Sequence, residues 1–150
     1  MPSADIREEI SRLSKVATQQ KYEDLGLAIA TLRQVKVLMA SSPGYPVKQW
    51  LRLPKFLCEA DRFTEAMAEL EELRQTTPVA RDYSAARKSG LHMSISKEGL
   101  KMLMHADLVE IYEEMSAVAA WSGNDELSNE YESKAVYHAA KWEQLNEIHN

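Results

Sequence analysis

The sequence predicts an all-α protein built from antiparallel helical hairpins, and three observations predict it. Apolar side chains recur at steps of three and four along most of the chain. Straight-chain helix formers are plentiful, whereas glycine and proline number only five each. The turn-forming residues cluster at a few points instead of recurring at the short intervals of a β architecture.

Residues 4–19 place Ile6, Ile10, Leu13 and Val16 or Ala17 on one stripe, with Ser3 as candidate N-cap and Glu8 and Glu9 in the early turns. Residues 22–41 repeat the pattern through Leu25, Ile29, Leu32, Val35 and Met39. The run SSPGYP at 41–46 then breaks the helix, because its prolines lack N–H donors and Gly44 tolerates positive φ.

A third helix over 47–60 turns Val47, Trp50, Leu51 and Leu57 inward, and a bend at Asp61 and Arg62 leads to a fourth at 63–76. Pro54 in a helix interior costs roughly 3 kcal/mol, so a kink or a later helix start is expected there. Thr77 and Pro78 read as N-cap and first helical position of a short helix that Gly90 ends. Residues 90–96 lack a clean period and read as a flexible connection.

From Ser96, a candidate N-cap, the stripe Leu100, Leu103 or Met104, Leu108, Ile111 or Tyr112, Met115 and Val118 or Ala119 runs to Trp121. Gly123 suits a C′ position and Asp125 a cap for the last helix, whose stripe is Leu127, Tyr131, Ala135, His138, Trp142 and Leu145. The predicted architecture is three hairpins, 4–41, 47–76 and 97–148. They form a stack or irregular bundle in one domain, 1–150, with subregions 1–77 and 97–150 joined by an irregular or weakly helical 78–96. A chain of 150 residues buries about 68–70% of its unfolded surface, enough for a core.

Composition excludes several function classes. Cys58 is the single cysteine, so no intrachain disulfide is possible. The start is polar and acidic, and no run of eighteen apolar residues occurs, which predicts a cytoplasmic protein without a membrane span. A net charge of −5 opposes binding to phosphate backbones, so neither nucleic acid nor anionic lipid is the expected partner.

Catalytic and cofactor motifs are missing: no G-x-x-x-x-G-K-[ST], G-x-G-x-x-G or G-x-S-x-G occurs. No histidine has a second ligand at the helical spacing of H-E-x-x-H or E-x-x-H. Accordingly no catalytic residue, cofactor or metal ligand is assigned. His138 reads as a hydrogen-bonded core or interface histidine and Cys58 as a half-buried structural thiol.

Charge placement is more informative. Between Lys101 and Lys134 the chain has no lysine or arginine but eight acids: Asp107, Glu110, Glu113, Glu114, Asp125, Glu126, Glu130 and Glu132. Such a hairpin is expected to steer a partner with a basic surface. The middle of the chain is basic through Arg74, Arg81, Arg87, Lys88, Lys97 and Lys101, a difference in sign that suits contacts between copies or between the two subregions. Tyr45, Trp50, Glu110, Glu113, Glu114, Glu126 and Glu130 are the candidate partner-binding residues, and Met93 and Met102 are further candidate anchors.

Two resemblances bear on function. Trp50, Leu53, Leu57, Phe63, Ala66, Leu70, Leu73 and Pro78 fall at the offsets of one tetratricopeptide repeat, which residues 50–78 resemble. Pro54 departs from that pattern, and neither flanking hairpin repeats it at the family's period. The segment RQVKVLMASSPGYPVKQWL is similar to part of some small helical immunity proteins of bacterial type VI secretion. That resemblance implies neutralisation of an NAD-consuming toxin by direct binding.

The sequence therefore leads to a non-catalytic protein-binding module, an adaptor, chaperone or inhibitor, with immunity against a toxin as a special case. The alternatives are an enzyme assembled from His105, His138 and acids of the last hairpin, and a structural homo-oligomer built on the Trp121 and Trp142 faces.

Overall fold

A computed structural model describes residues 3–90 and 94–149. Met93 and the centre of the expected flexible connection therefore lie outside the described residues. The elements are α1 (Ser3–Lys21), α2 (Leu25–Ala40), α3 (Val47–Trp50), α4 (Arg52–Glu59), α5 (Phe63–Gln75), α6 (Pro78–Lys88), α7 (Lys97–Trp121) and α8 (Asp125–His149). The described residues contain no strand. None of their helices is long and apolar enough to cross a membrane.

The expected stripes form the core: Ile10, Leu13 and Ala17 of α1 meet Ile29, Leu32, Val35 and Met39 of α2. One continuous cluster carries on through Trp50, Leu57, Ala66 and Leu70 to Ile111, Met115 and Ala135. Ion pairs and hydrogen bonds fix how the hairpins stack. Arg52 reaches Ser14 and Thr18, and Lys21 pairs with Glu59 at 3.1 Å, so α1 and α4 run parallel. Arg33 and Lys36 of α2 meet Glu65, Glu69 and Glu72 of α5 in the same sense. Lys55 of α4 faces Glu114 of α7, and α8 folds back along α7.

Several boundaries differ from expectation for local reasons. Helix α1 starts at Ser3 itself, the residue expected to cap it. Asp24 accepts from the Leu27 N–H at 3.1 Å, so α2 begins at Leu25 instead of residue 22. Asn124 caps α8 through Leu127 N–H at 3.1 Å, which leaves Asp125 as its first residue, where the N-terminal dipole favours its charge. The expected helix 47–60 is divided at Leu51. Pro54 then occupies the first turn of α4, where its missing N–H has no intrahelical acceptor to lose.

The segment 78–88 is the short helix that Thr77 and Pro78 predict, and not the irregular alternative. Thr77 caps it through Ala80 N–H, Pro78 starts it, and Arg81 lies 4.9 Å above the Trp50 ring on α3. A second tie comes from α7, where the Asp107 carboxylate accepts from Val79 N–H at 3.0 Å. The PGYP turn is held from two sides. Arg7 donates to Pro43 O at 2.8 Å, and Gly44, at φ +103°, donates its N–H to Asp82 of α6 at 3.1 Å.

Candidate functional site

Helix α4 separates two hollows. The one toward α7 has a volume of about 360 Å³ and is lined by Lys55, Cys58, Glu59, Asp61, Glu114, Ala117 and Trp121. The α4 side is built by the end of a short helix and the bend after it, where Asp61 takes a φ of 60° that aspartate tolerates better than most residues. The α7 side is its last two turns, ending on Trp121, which is 74% exposed.

Of the three acids here, Glu59 pairs with Lys21 and Glu114 with Lys55, whereas Asp61 forms no ion pair among the described residues. Burial raises the Glu114 carboxyl above the usual range, and Lys55, 3.8 Å away, opposes that shift. Burial also raises the Cys58 thiol, reinforced by Glu114, Asp61 and Glu59. A thiol so placed keeps its proton at neutral pH and is a poor nucleophile. The chemistry this hollow offers is recognition of a cation: an indole face for cation–π contact beside carboxylates.

The expected partner-binding residues are dispersed. Glu114 lines the hollow, and its carboxylate is not uncompensated, because its counterion comes from α4 and not from its own hairpin. Glu113, Glu126 and Glu130 are exposed and Glu110 is half-buried. Asp107, counted among the eight acids, turns toward the α6 N-terminus instead of presenting its charge freely. Tyr45 is half-buried in the PGYP turn with Arg7 stacked 5.2 Å from its ring. Trp50 is 5% exposed beneath Arg81, so it offers a partner almost no surface. Met102 is half-buried.

His105 and His138, 33 residues apart, come together with their Nδ1 atoms at 2.8 Å. The ring centroids are 5.0 Å apart, which places the facing nitrogens near the line between the rings. Their in-plane lone pairs thus point at each other, the geometry of one shared proton, not of two ligands converging on an ion. Tyr112 stacks on His138 at 5.5 Å and Tyr137 meets it edge-on at 5.0 Å. Among the described residues, no three His, Cys, Asp or Glu side chains are grouped so as to hold a metal ion.

Burial, then the nearby lysines, lowers the His105 affinity for protons; burial, then His105 and Lys134, does so for His138. The folded state therefore favours the neutral pair, whereas the unfolded chain protonates near the ordinary 6.5. Stability is expected to be lost as the pH falls below that value. The His138→Phe variant is expected to lose less between neutral pH and about pH 5 than the parent, as read from urea midpoints. Equal losses in both proteins would count against the pair as the acid-sensitive group.

The sequence named both histidines for an alternative site but not their direct contact, although a signal existed. In an antiparallel hairpin, residues nearly equidistant from the turn face each other. Ser116 meets Ser128, Tyr112 meets Tyr131, and His105 meets His138. Trp121 was expected at the end of a stripe and on an oligomer face, Asp61 only in a bend, and Glu59 in no role, because nothing local shows that α4 ends beside α7. Comparison of the chain with protein-family models, with curated proteins and with solved structures gave no match in any of the three.

Proposed function

We propose that this chain is a non-catalytic protein-binding module, acting as an adaptor, chaperone or inhibitor, that captures a basic segment of a protein partner in the α4–α7 hollow. The observation that carries this reading is Trp121, a large apolar side chain left 74% exposed as one wall of an acid-lined depression. Tryptophan dominates binding energy where it can be covered by a partner. Asp61, which forms no ion pair among the described residues, supplies the charge that would orient a lysine or arginine side chain against the ring. Beside it stand Glu59 and Glu114, which Lys21 and Lys55 already pair. The exposed acids Glu113, Glu126 and Glu130 extend that field and steer the encounter.

A tetratricopeptide-like build of residues 50–78 is part of this proposal and rests on the spacing of Trp50, Leu53, Leu57, Phe63, Ala66, Leu70, Leu73 and Pro78. A cytoplasmic location is part of the same reading and accords with the unpaired Cys58.

Isothermal titration of the protein with a short oligolysine peptide tests the proposal. Binding is expected to weaken with added salt, and Trp121→Ala is expected to raise the dissociation constant about tenfold or more. An unchanged constant in Trp121→Ala, or the same loss on replacing the distant Tyr22, which is 82% exposed at the α1–α2 turn, would dismiss the hollow as the docking point.

A further inference from the structure

The second hollow, on the other flank of α4, is opposite in character. It lies between α1 and the α3–α4 segment, has a volume of about 430 Å³, and has no carboxylate in its lining. Arg7, Lys15 and Arg52 all line it, and none of the three forms an ion pair among the described residues. Three cations gathered without an acid are conspicuous in a chain of net charge −5.

The cations are held in place by neutral groups. Arg52 donates to Ser14 O at 3.2 Å and to Thr18 Oγ1 at 2.8 Å, and Arg7 donates to Pro43 O at 2.8 Å. A guanidinium carries five N–H donors, so both retain donors for a ligand. Asp82, whose carboxyl feels the Arg7 charge, accepts from Gly44 N–H and lies outside the hollow. Burial without a carboxylate partner lowers the Arg52 affinity for its proton, the signature of a desolvated cation. Ser11, Ser14 and Thr18 also line it; the Thr18 hydroxyl is committed, donating to Ser14 O at 3.1 Å and accepting from Arg52, whereas the Ser14 Oγ is buried with no hydrogen-bond partner.

We propose that this hollow binds a phosphate monoester. Three cationic side chains match a dianion better than a singly charged carboxylate, and guanidinium forks and hydroxyls together suit phosphate oxygens. A hollow of about 430 Å³ leaves room for an organic stem beyond the phosphate itself. The positions on α1 follow a helical stripe, Arg7, Ser11, Ser14 and Thr18, so one face of α1 carries a guanidinium and the two serines, while Ser14 O and Thr18 Oγ1 hold Arg52 of α4 beside them. This site is independent of the acidic hollow, and either stands if the other fails.

The test is a titration of the ¹⁵N-labelled full chain with inorganic phosphate, O-phosphoserine, glucose 6-phosphate and acetate, at constant ionic strength. The phosphates are expected to give saturable shifts of amides in α1 and α4, and the tighter of the two esters identifies the source of the phosphate. Lys15→Gln, at an exposed position without an ion pair, is expected to weaken binding several-fold, and Arg52→Gln about tenfold or more. Because Arg52 also ties α4 to α1, Lys15→Gln is the variant that keeps the question decidable if Arg52→Gln unfolds. Absence of saturable shifts, acetate binding as tightly as phosphate, or equal phosphate affinity in Lys15→Gln would overturn the assignment.

Discussion

Replacing Leu57 with alanine is expected to destabilise the protein by about 2–5 kcal/mol, the range for removing a fully buried leucine where the cavity only partly collapses. Leu57 is 0% exposed on α4, and α4 packs against α2, α5 and α7 at once. The lost methyl groups therefore leave a void that no single helix can close by shifting. A denaturant titration that monitors helix content should show a lower midpoint with an unchanged slope. A loss below about 1 kcal/mol would mean that the junction of the hairpins repacks far more freely than a close-packed interior does.

The second large effect has the opposite sign. Burial pushes the Asp107 carboxyl up from 3.8 to about 6; the Val79 N–H bond pulls it back, and Glu110 and Asp82 add to the rise. A carboxyl whose folded value exceeds its unfolded one contributes stability that is fully present below the unfolded value and lost as the pH rises through the folded value. At neutral pH the group is thus a charge held in a costly place. Asp107→Asn keeps an oxygen for Val79 N–H and removes the charge. It is expected to stabilise the protein by roughly 1–2 kcal/mol near pH 7, after allowance for the solvent that still screens the group. Near pH 4 the gain should vanish, because Asp107 is then neutral in the folded protein. An equal gain at both pH values would assign the effect to packing, and a loss at pH 7 would show that the negative charge at the α6 N-terminus outweighs its desolvation.

The His105–His138 pair acts in an overlapping pH range with the contrary sign, since acid charges it. Asp107→Asn and His138→Phe therefore separate two titrations that would partly cancel in the parent protein.

The helical stripes were legible because they are local. Ile29, Leu32, Val35 and Met39 stand at steps of three and four, and all four are buried. Thr77, Ser96 and Gly123 announced helix ends for equally local reasons, and each acts as a cap or a positive-φ stop. The later helix start expected from Pro54 is found, with α4 beginning at Arg52. The failures were also local in origin: at Asp24 and Asn124, neighbouring residues offered alternatives one to three positions apart, and the competition for first-turn N–H groups chose between them.

The candidate sites were far less legible. Charge counted along the α7–α8 hairpin took Glu114 as uncompensated, yet Lys55 is its counterion from 59 positions upstream. Trp50 has the composition of an anchor but sits at the junction of α3 with α6 and α7, where it is covered. The basic hollow shows one side in sequence, the polar stripe of α1, and hides the other.

By itself, then, the sequence determined an all-helical chain, where most of its helices lie and which faces turn inward, because helix spacing and capping depend on residues within a few positions of one another. Tertiary structure alone decided that α4 is flanked by an acidic hollow and a basic one, and that two histidines meet at hydrogen-bond distance. Those juxtapositions arise from hairpins packing side by side, which joins residues separated by tens of positions whose spacing carries no period to read.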